Sequence, residues 1–224
     1  MWQLYQFPLC PFSRKVRLML GEKGVPHELV RETPWSRRDE FLDMNPAGQT
    51  PVLAEDSKST VLIDSQAICE YFEETVDRAP MLAGGAAARA EVRRLVAWFD
   101  ERLYGEVVNP LMEERMRKRL VSRDAPDTRI LREAMRTANM HLDYCDYLLD
   151  HRRWLAGPVL TLADLTAAAH LSVADYLGGL DWRGHKQTTD WYAVMKSRPS
   201  FRSLLTDRME VIAPPAHYDK VDFF

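Results

Sequence analysis

Residues 2–14 read Trp2-Gln3-Leu4-Tyr5-Gln6-Phe7-Pro8-Leu9-Cys10-Pro11-Phe12-Ser13-Arg14. Residues 2–7 alternate and are rich in aromatics, which reads as a short strand, and Pro8 ends it. From Arg14 to Glu22 the period changes. Val16, Leu18, Met19 and Leu20 with charges between them suit a helix closed by Gly24. A strand and a helix thus bracket Cys10. A thiol at that junction faces the free N–H groups of the helix and its positive end, and both favour thiolate, the reactive form. Arg14 would add positive charge, and the Ser13 hydroxyl could donate to a neighbouring sulfur. The alternative for Cys10 is a buried structural cysteine.

Working outward, His27–Arg31 reads as a second strand, and Arg37–Leu42 as a short helix ended by Asn45-Pro46. Gln49–Ala54 holds a third strand and Val61-Leu62-Ile63 a fourth. Asp64-Ser65 then opens a helix through Ala67, Ile68, Tyr71 and Phe72. The order β-α-β-α-β-β-α defines a domain over residues 1–77. Residues 78–87, with Pro80 and Gly84-Gly85, read as a linker. Helical periodicity dominates residues 88–207. Val92, Leu95, Val96, Phe99 and Leu103 line one helix and Thr128–Asp150 forms another. A third starts at Thr161-Leu162-Ala163-Asp164, a capping box with Asp in place of Glu and a purely structural role. Shorter helices are expected at Thr189–Lys196 and Pro199–Thr206, and residues 208–224 form a tail. The fold class is therefore an α/β domain followed by an all-α domain.

The chain has 224 residues, 46% apolar and 28% charged, with a net charge of −3. That balance offers no basic face for nucleic acid and no polybasic membrane anchor. The N-terminus has no signal-peptide pattern, and no stretch approaches the ~18–20 apolar residues that span a bilayer, so a cytoplasmic protein is expected. Three widely spaced cysteines, Cys10, Cys69 and Cys145, make no disulfide framework and no Cys-x-x-Cys pair. The six histidines lack metal-ligand spacing, and no metal is expected.

Further positions carry a functional and a structural reading side by side. A cis Pro51 would turn the Thr50 backbone outward to pair with an extended peptide, whereas a trans proline would sit on an edge strand. Asp64-Ser65 could hold a ligand's amine and carboxylate at a helix start, or simply cap it. Trp35 beside Arg37 and Arg38 fits a contact surface or packing on its own domain. The basic strip from Glu113 to Arg123 reads as a solvated helix face. Tyr104, Met112 and Trp182 are placed by position near a second-substrate pocket. The tail ending Phe223-Phe224 should dock on the chain itself or engage a partner.

Together these segments resemble the glutathione transferase superfamily over nearly the whole chain. The resemblance rests on Phe7-Pro8-x-Cys10-Pro11-Phe12-Ser13-Arg14, Asn45-Pro46-x-Gly48-Gln49-Thr50-Pro51-Val52-Leu53 and Asp64-Ser65-x-Ala67-Ile68-x-x-Tyr71. Trp154-Leu155-Ala156-Gly157, Thr161-Leu162-Ala163-Asp164-Leu165 and Arg198-Pro199-Ser200-Phe201 extend it. It implies a thioredoxin-like first domain with cis Pro51, and glutathione as co-substrate. Gln49, Thr50 and Pro51 would bind the cysteinyl part, and Asp64 and Ser65 the γ-glutamyl end. Cys10, with Ser13, would be catalytic in an omega-like arrangement that favours mixed disulfides and thiol exchange, usually in a homodimer. A narrower resemblance, carried by Pro34-Trp35, the segment near Arg136 and His217-Tyr218-x-x-x-Asp222-Phe223, points to a bacterial subgroup that binds the division protein FtsZ. That subgroup uses the fold as a scaffold, and the resemblance implies partner contacts at Trp35, Arg136, Asp222 and Phe223.

Overall fold

The computed structural model describes residues 1–57 and 59–221. β1 (Trp2–Gln6) lies parallel to β2 (His27–Arg31), with Leu4 opposite Leu29. It lies antiparallel to β3 (Val52–Glu55), with Leu4 opposite Leu53. β4 (Val61–Ile63) pairs antiparallel with β3, giving the order β2-β1-β3-β4. A parallel pair needs a crossover, and α1 (Pro11–Lys23) supplies it.

α1 begins three residues earlier than the apolar period indicates. Cys10 is its N-cap and Pro11 its first residue, where a missing N–H costs nothing. Gly24 ends it at φ 65°, and a Cβ there would meet the Arg78 guanidinium at 2.5 Å. α2 (Asp39–Met44) starts two residues later than expected, because Arg37 sits in the left-handed region at φ 47° and closes a 3-10 turn over Pro34–Ser36. α3 (Ser65–Thr75) follows β4 directly.

The helical part begins with α4 (Ala86–Ala97), inside the stretch expected as linker. Its axis continues as π-helix over Trp98–Val108, a short α5 (Asn109–Met112) and π-helix again over Glu113–Ser122. α6 (Thr128–Asp150) is capped by Asp127. Every residue of α7 (Leu162–Tyr176) is buried, which explains its run of alanines and its weak apolar period. α8 (Lys186–Ser197) and α9 (Pro199–Leu205) complete the set.

α1 packs between α3 of its own domain and α7 and α9 of the other. One apolar core therefore runs from Leu4 through Leu18, Leu103 and Leu165 to Tyr218. Each fully buried leucine in it contributes about 1.5–3 kcal/mol. A smaller cluster of Tyr5, Phe41, Val52 and Ala54 covers the far face of the sheet.

The tail docks on its own chain. Tyr176 Oη accepts from the Met209 N–H and donates to Ile212 O, both at 2.9 Å. His217 Nε2 lies 2.8 Å from Asp175, and Tyr218 is fully buried. Asp222 and Phe223, expected as partner contacts, lie outside the described residues. Among the described residues no helix is long and apolar enough to cross a membrane.

The capping box is closed at both ends. Asp164 Oδ2 accepts from Thr161 N at 2.9 Å and Thr161 Oγ1 at 3.0 Å. Asp164 Oδ1 accepts from Leu155 N at 2.9 Å and Trp191 Nε1 at 3.1 Å. Burial pushes this carboxyl up to about 6, against the pull of those donors. The folded chain thus keeps a proton that an unfolded aspartate gives up near ~3.9. The associated stability is full below about pH 4 and is lost as pH rises through about 6. In urea unfolding at a series of pH values, the advantage of the native chain over Asp164→Asn should shrink between about pH 4 and 6 and then level off.

Candidate functional site

Cys10 sits at the N-cap of α1 with extended backbone and is 8% exposed. Its Sγ accepts from the Ser13 backbone N–H at 3.4 Å, and its S–H donates to Thr50 O, also at 3.4 Å. The donor to sulfur is therefore the Ser13 main chain, and not the hydroxyl expected from sequence. Ser13 Oγ is buried without a hydrogen-bond partner.

The second departure concerns Arg14. Its side chain turns away from the thiol and is fully buried under the tail. Nε donates to Pro8 O at 2.7 Å, Nη1 to Ser172 Oγ at 2.8 Å and Tyr218 Oη at 3.0 Å, and Nη2 to Asp207 at 3.2 Å. Burial works against the charge, but Tyr218 and Asp207 outweigh it and hold the guanidinium above its ordinary range.

The turn before β3 places Thr50. Asn45 Nδ2 donates to Gln49 O at 2.8 Å and Asn45 Oδ1 accepts from Ala47 N at 3.2 Å. Gly48 stands at φ 64°, where a Cβ would press on Leu42. The Thr50–Pro51 peptide bond is cis. On the far side Asp64 caps α3, its Oδ1 accepting from Gln66 N at 2.7 Å and Ala67 N at 3.1 Å. It does so at φ 76°, which is uncommon for a residue with a Cβ.

Two cavities adjoin here. The smaller, of about 170 Å³, is bounded by Gln49, Thr50, Pro51, Asp64, Ser65 and Phe12. The larger, of about 660 Å³, opens over Cys10 between Phe7, Phe12, Trp35 and Tyr104. Phe12, Gln49 and Thr50 belong to both walls. The larger cavity falls in the range of about 300–1,000 Å³ usual for small-molecule sites.

Trp35 is half-buried and meets Phe7 edge-on at 5.1 Å, so it forms cavity wall as well as surface. Phe12 meets Tyr104 at 4.8 Å and His170 at 5.3 Å. Behind them Asp100 accepts from His170 Nε2 at 3.0 Å and Lys15 Nζ at 2.5 Å, and Lys15 reaches Gln66 Oε1 at 2.9 Å. Burial raises the Asp100 carboxyl, but His170 and Lys15 outweigh it and hold it below the usual range. Burial presses the His170 imidazole downward despite Asp100. Burial first, and then the neighbouring Cys10, push the Tyr104 phenol up, which keeps it a proton donor.

Tyr104 and Met112 line the large cavity, whereas Trp182 is buried away from it, stacked on Tyr192 at 4.7 Å and bonded to Asp175. The basic strip is not uniformly solvated. Glu113, Met116 and Arg117 face the cavity, and Arg115 bonds the Leu177 and Gly178 carbonyls. Arg136 is exposed, paired with Glu133, and lies on α6 away from both cavities. Sequence reasoning missed the Lys15–Asp100–His170 cluster, whose members stand far apart in the chain on helices without a motif. Phe12 stood inside the motif, and only the fold shows it dividing the two cavities. Among the described residues no group of His, Cys, Asp and Glu could hold a metal ion.

A thiol at a strand–helix junction, a cis proline facing it and a helical domain closing the cavity together define a glutathione-transferase-type site. Residues 4–80 match the family described as "Glutathione S-transferase, N-terminal domain". The chain is 46% identical to FtsZ-localized protein A of Caulobacter vibrioides, over 98% of this chain and 97% of that protein. It is 26% identical to mouse glutathione S-transferase omega-2, over 92% of this chain and 79% of that one. A solved glutathione S-transferase from Rhodospirillum rubrum F11 superposes with a TM-score of 0.96 at 50% identity, covering 99% of this chain and 100% of the other. The chain belongs to the glutathione transferase superfamily.

The three thiols differ sharply in access. Burial pushes Cys69 up to about 12 and raises Cys145 further, and both are fully enclosed. Native protein should therefore react with an aromatic disulfide reagent at Cys10 alone. Cys69 and Cys145 should appear only after denaturation, and Cys10→Ala should silence the native reaction.

Proposed function

We propose that this chain binds glutathione across the two adjoining cavities and carries out glutathione-dependent thiol–disulfide exchange or transfer through Cys10. The observation that carries this reading is Cys10 Sγ, on the wall of the larger cavity, at 3.4 Å from the carbonyl of Thr50, which borders both cavities. The γ-glutamyl end would lie by Asp64 and Ser65, and the cysteinyl backbone against Gln49, Thr50 and Pro51. Ser13 contributes its main-chain N–H to the sulfur.

The geometry suggests an order of events. In the free chain Thr50 O holds the thiol proton. A peptide N–H that takes this carbonyl displaces the proton's acceptor. Sγ is then left with the Ser13 N–H, a donor that favours the thiolate. Cys10 gives its proton to water, its thiolate attacks a glutathionyl disulfide, the Cys10–S–S–glutathione bond forms as the old S–S bond breaks, and the other sulfur leaves as a thiolate and takes a proton from water. A second glutathione thiolate attacks the glutathione sulfur of that bond, regenerating Cys10 and releasing oxidised glutathione. A homodimer working in the cytoplasm fits the family.

Calorimetry with millimolar glutathione should show binding, and oxidised glutathione should add one glutathionyl group at Cys10 by mass spectrometry. Cys10→Ser should keep the heat and lose the adduct. Asp64→Ala should weaken binding about tenfold, or ~1.4 kcal/mol. Absence of both heat and adduct would overturn the reading.

A second reading is favoured by the 46% identity, over nearly both full lengths, to a protein named for its localisation with FtsZ. In it the chain is a scaffold that contacts FtsZ filaments through Trp35, Arg136, Asp222 and Phe223. The chain should then co-sediment with FtsZ polymer. Arg136→Glu, or removal of residues 222–224, should abolish this while Cys10→Ala leaves it intact. Undiminished co-sedimentation of both altered chains would count against that surface.

A further inference from the structure

We infer that the C-terminal strap positions the thiol: Tyr218, by holding the Arg14 guanidinium, fixes the Pro8 carbonyl and with it the Phe7–Cys10 turn. This goes beyond glutathione binding and does not require it.

The chain of contacts is short and buried. Tyr218 Oη accepts from Arg14 Nη1 at 3.0 Å and donates to Leu204 O at 3.3 Å. Arg14 Nε donates to Pro8 O at 2.7 Å, two residues before the thiol. The turn itself closes with Cys10 N donating to Phe7 O at 2.9 Å, and Arg14 N donates to Cys10 O at 3.0 Å. Arg14 thus grips the Cys10 turn twice, once by its main chain and once by its side chain. The side-chain grip depends on where its other donors are held. Asp207, just beyond α9, takes Nη2 at 3.2 Å and also Arg17 at 2.8 Å. Ser172 on α7 takes Nη1.

Among the described residues Tyr218 is the one ligand of this guanidinium that comes from the strap beyond Asp207. The strap has its own anchors. Lys196 Nζ donates to His217 O at 3.3 Å, His217 meets Asp175, and the Tyr218 ring meets Tyr176 edge-on at 5.1 Å. Three residues after Tyr218 the chain is exposed, at Asp219, Lys220 and Val221. Force or binding at that exposed end is therefore one buried side chain from the arginine that holds the thiol turn. Coupling of this kind is reciprocal, so an adduct on Cys10 must alter the docking of the strap.

The test uses the full-length chain and iodoacetamide, which reads the Cys10 thiol without glutathione. Tyr218→Phe removes the hydroxyl and keeps the ring. It should speed exchange of the Cys10 and Ser13 amides at least threefold. It should also speed Cys10 alkylation at a fixed pH, because a loosened turn opens the nearly buried sulfur to the reagent. Tyr176→Phe cuts the bonds between α7 and strap residues Met209 and Ile212 without touching Arg14, and it should leave that rate in place. Equal alkylation rates for Tyr218→Phe and the native chain would overturn the inference, as would equal increases in both variants. If Tyr218→Phe does not fold, the reciprocal measurement decides. Native chain carboxamidomethylated at Cys10 should show faster amide exchange over residues 212–218, and unchanged exchange would overturn it. Loss of glutathione binding in calorimetry would leave every one of these readouts standing.

Discussion

The Arg14 guanidinium, a charge buried away from water, is the constraint on which the arrangement of the two domains depends. An uncompensated charge in that position would cost several kcal/mol. Its acceptors come from four places: the Pro8 carbonyl, Ser172 on α7, Asp207 after α9 and Tyr218 in the strap. Together they compensate the charge, so first helix, helical domain and C-terminal segment are tied to one point. A second buried cation, Lys15, repeats the device one residue later. It faces Asp100 across the same boundary and Gln66 on α3 of its own domain, on the side nearer the cavities. Consecutive residues of α1 point to different faces, and here each face is read by a different part of the molecule.

The fold was largely legible because its signals are local. Alternation in Trp2–Phe7, the Pro8 and Gly24 stops, the Thr161–Asp164 box and the long period of Thr128–Asp150 each report on a single element. The errors fall where backbone geometry overrides side-chain pattern. Arg37 in the left-handed region delayed α2, and a helix start at Ala86 consumed part of the expected linker. Charge was the least legible property. Arg14, four residues after Cys10, suggests a stabilised thiolate, yet its guanidinium is taken up by Pro8 O, Ser172, Tyr218 and Asp207. Trp182 failed similarly, since aromatic character says nothing about which cavity a ring serves.

The candidate site was legible in its motif-bearing half. Cys10, Thr50, Pro51, Asp64 and Ser65, singled out from their motifs, border two adjoining cavities with Phe12 in both walls. Its other half was not, because π-helical segments present Tyr104, Met112, Met116 and Arg117 by winding and not by motif. That division has a chemical meaning. The sheet domain supplies main-chain groups and a thiol, which set the reaction class. The helical domain supplies aromatic and sulfur-bearing walls, which set what else fits.

The unbroken apolar core has a consequence for how the molecule fails. Buried side chains of the sheet domain and of the helices form one continuous cluster from Leu4 to Tyr218 behind the cavities. Neither half retains a closed interior when the other is lost. Denaturation should accordingly be all-or-none, with a single calorimetric transition in place of two separable ones. Cutting the connection between the domains would not liberate a working half. Architecture that looks modular on paper is, thermodynamically, one cooperative body.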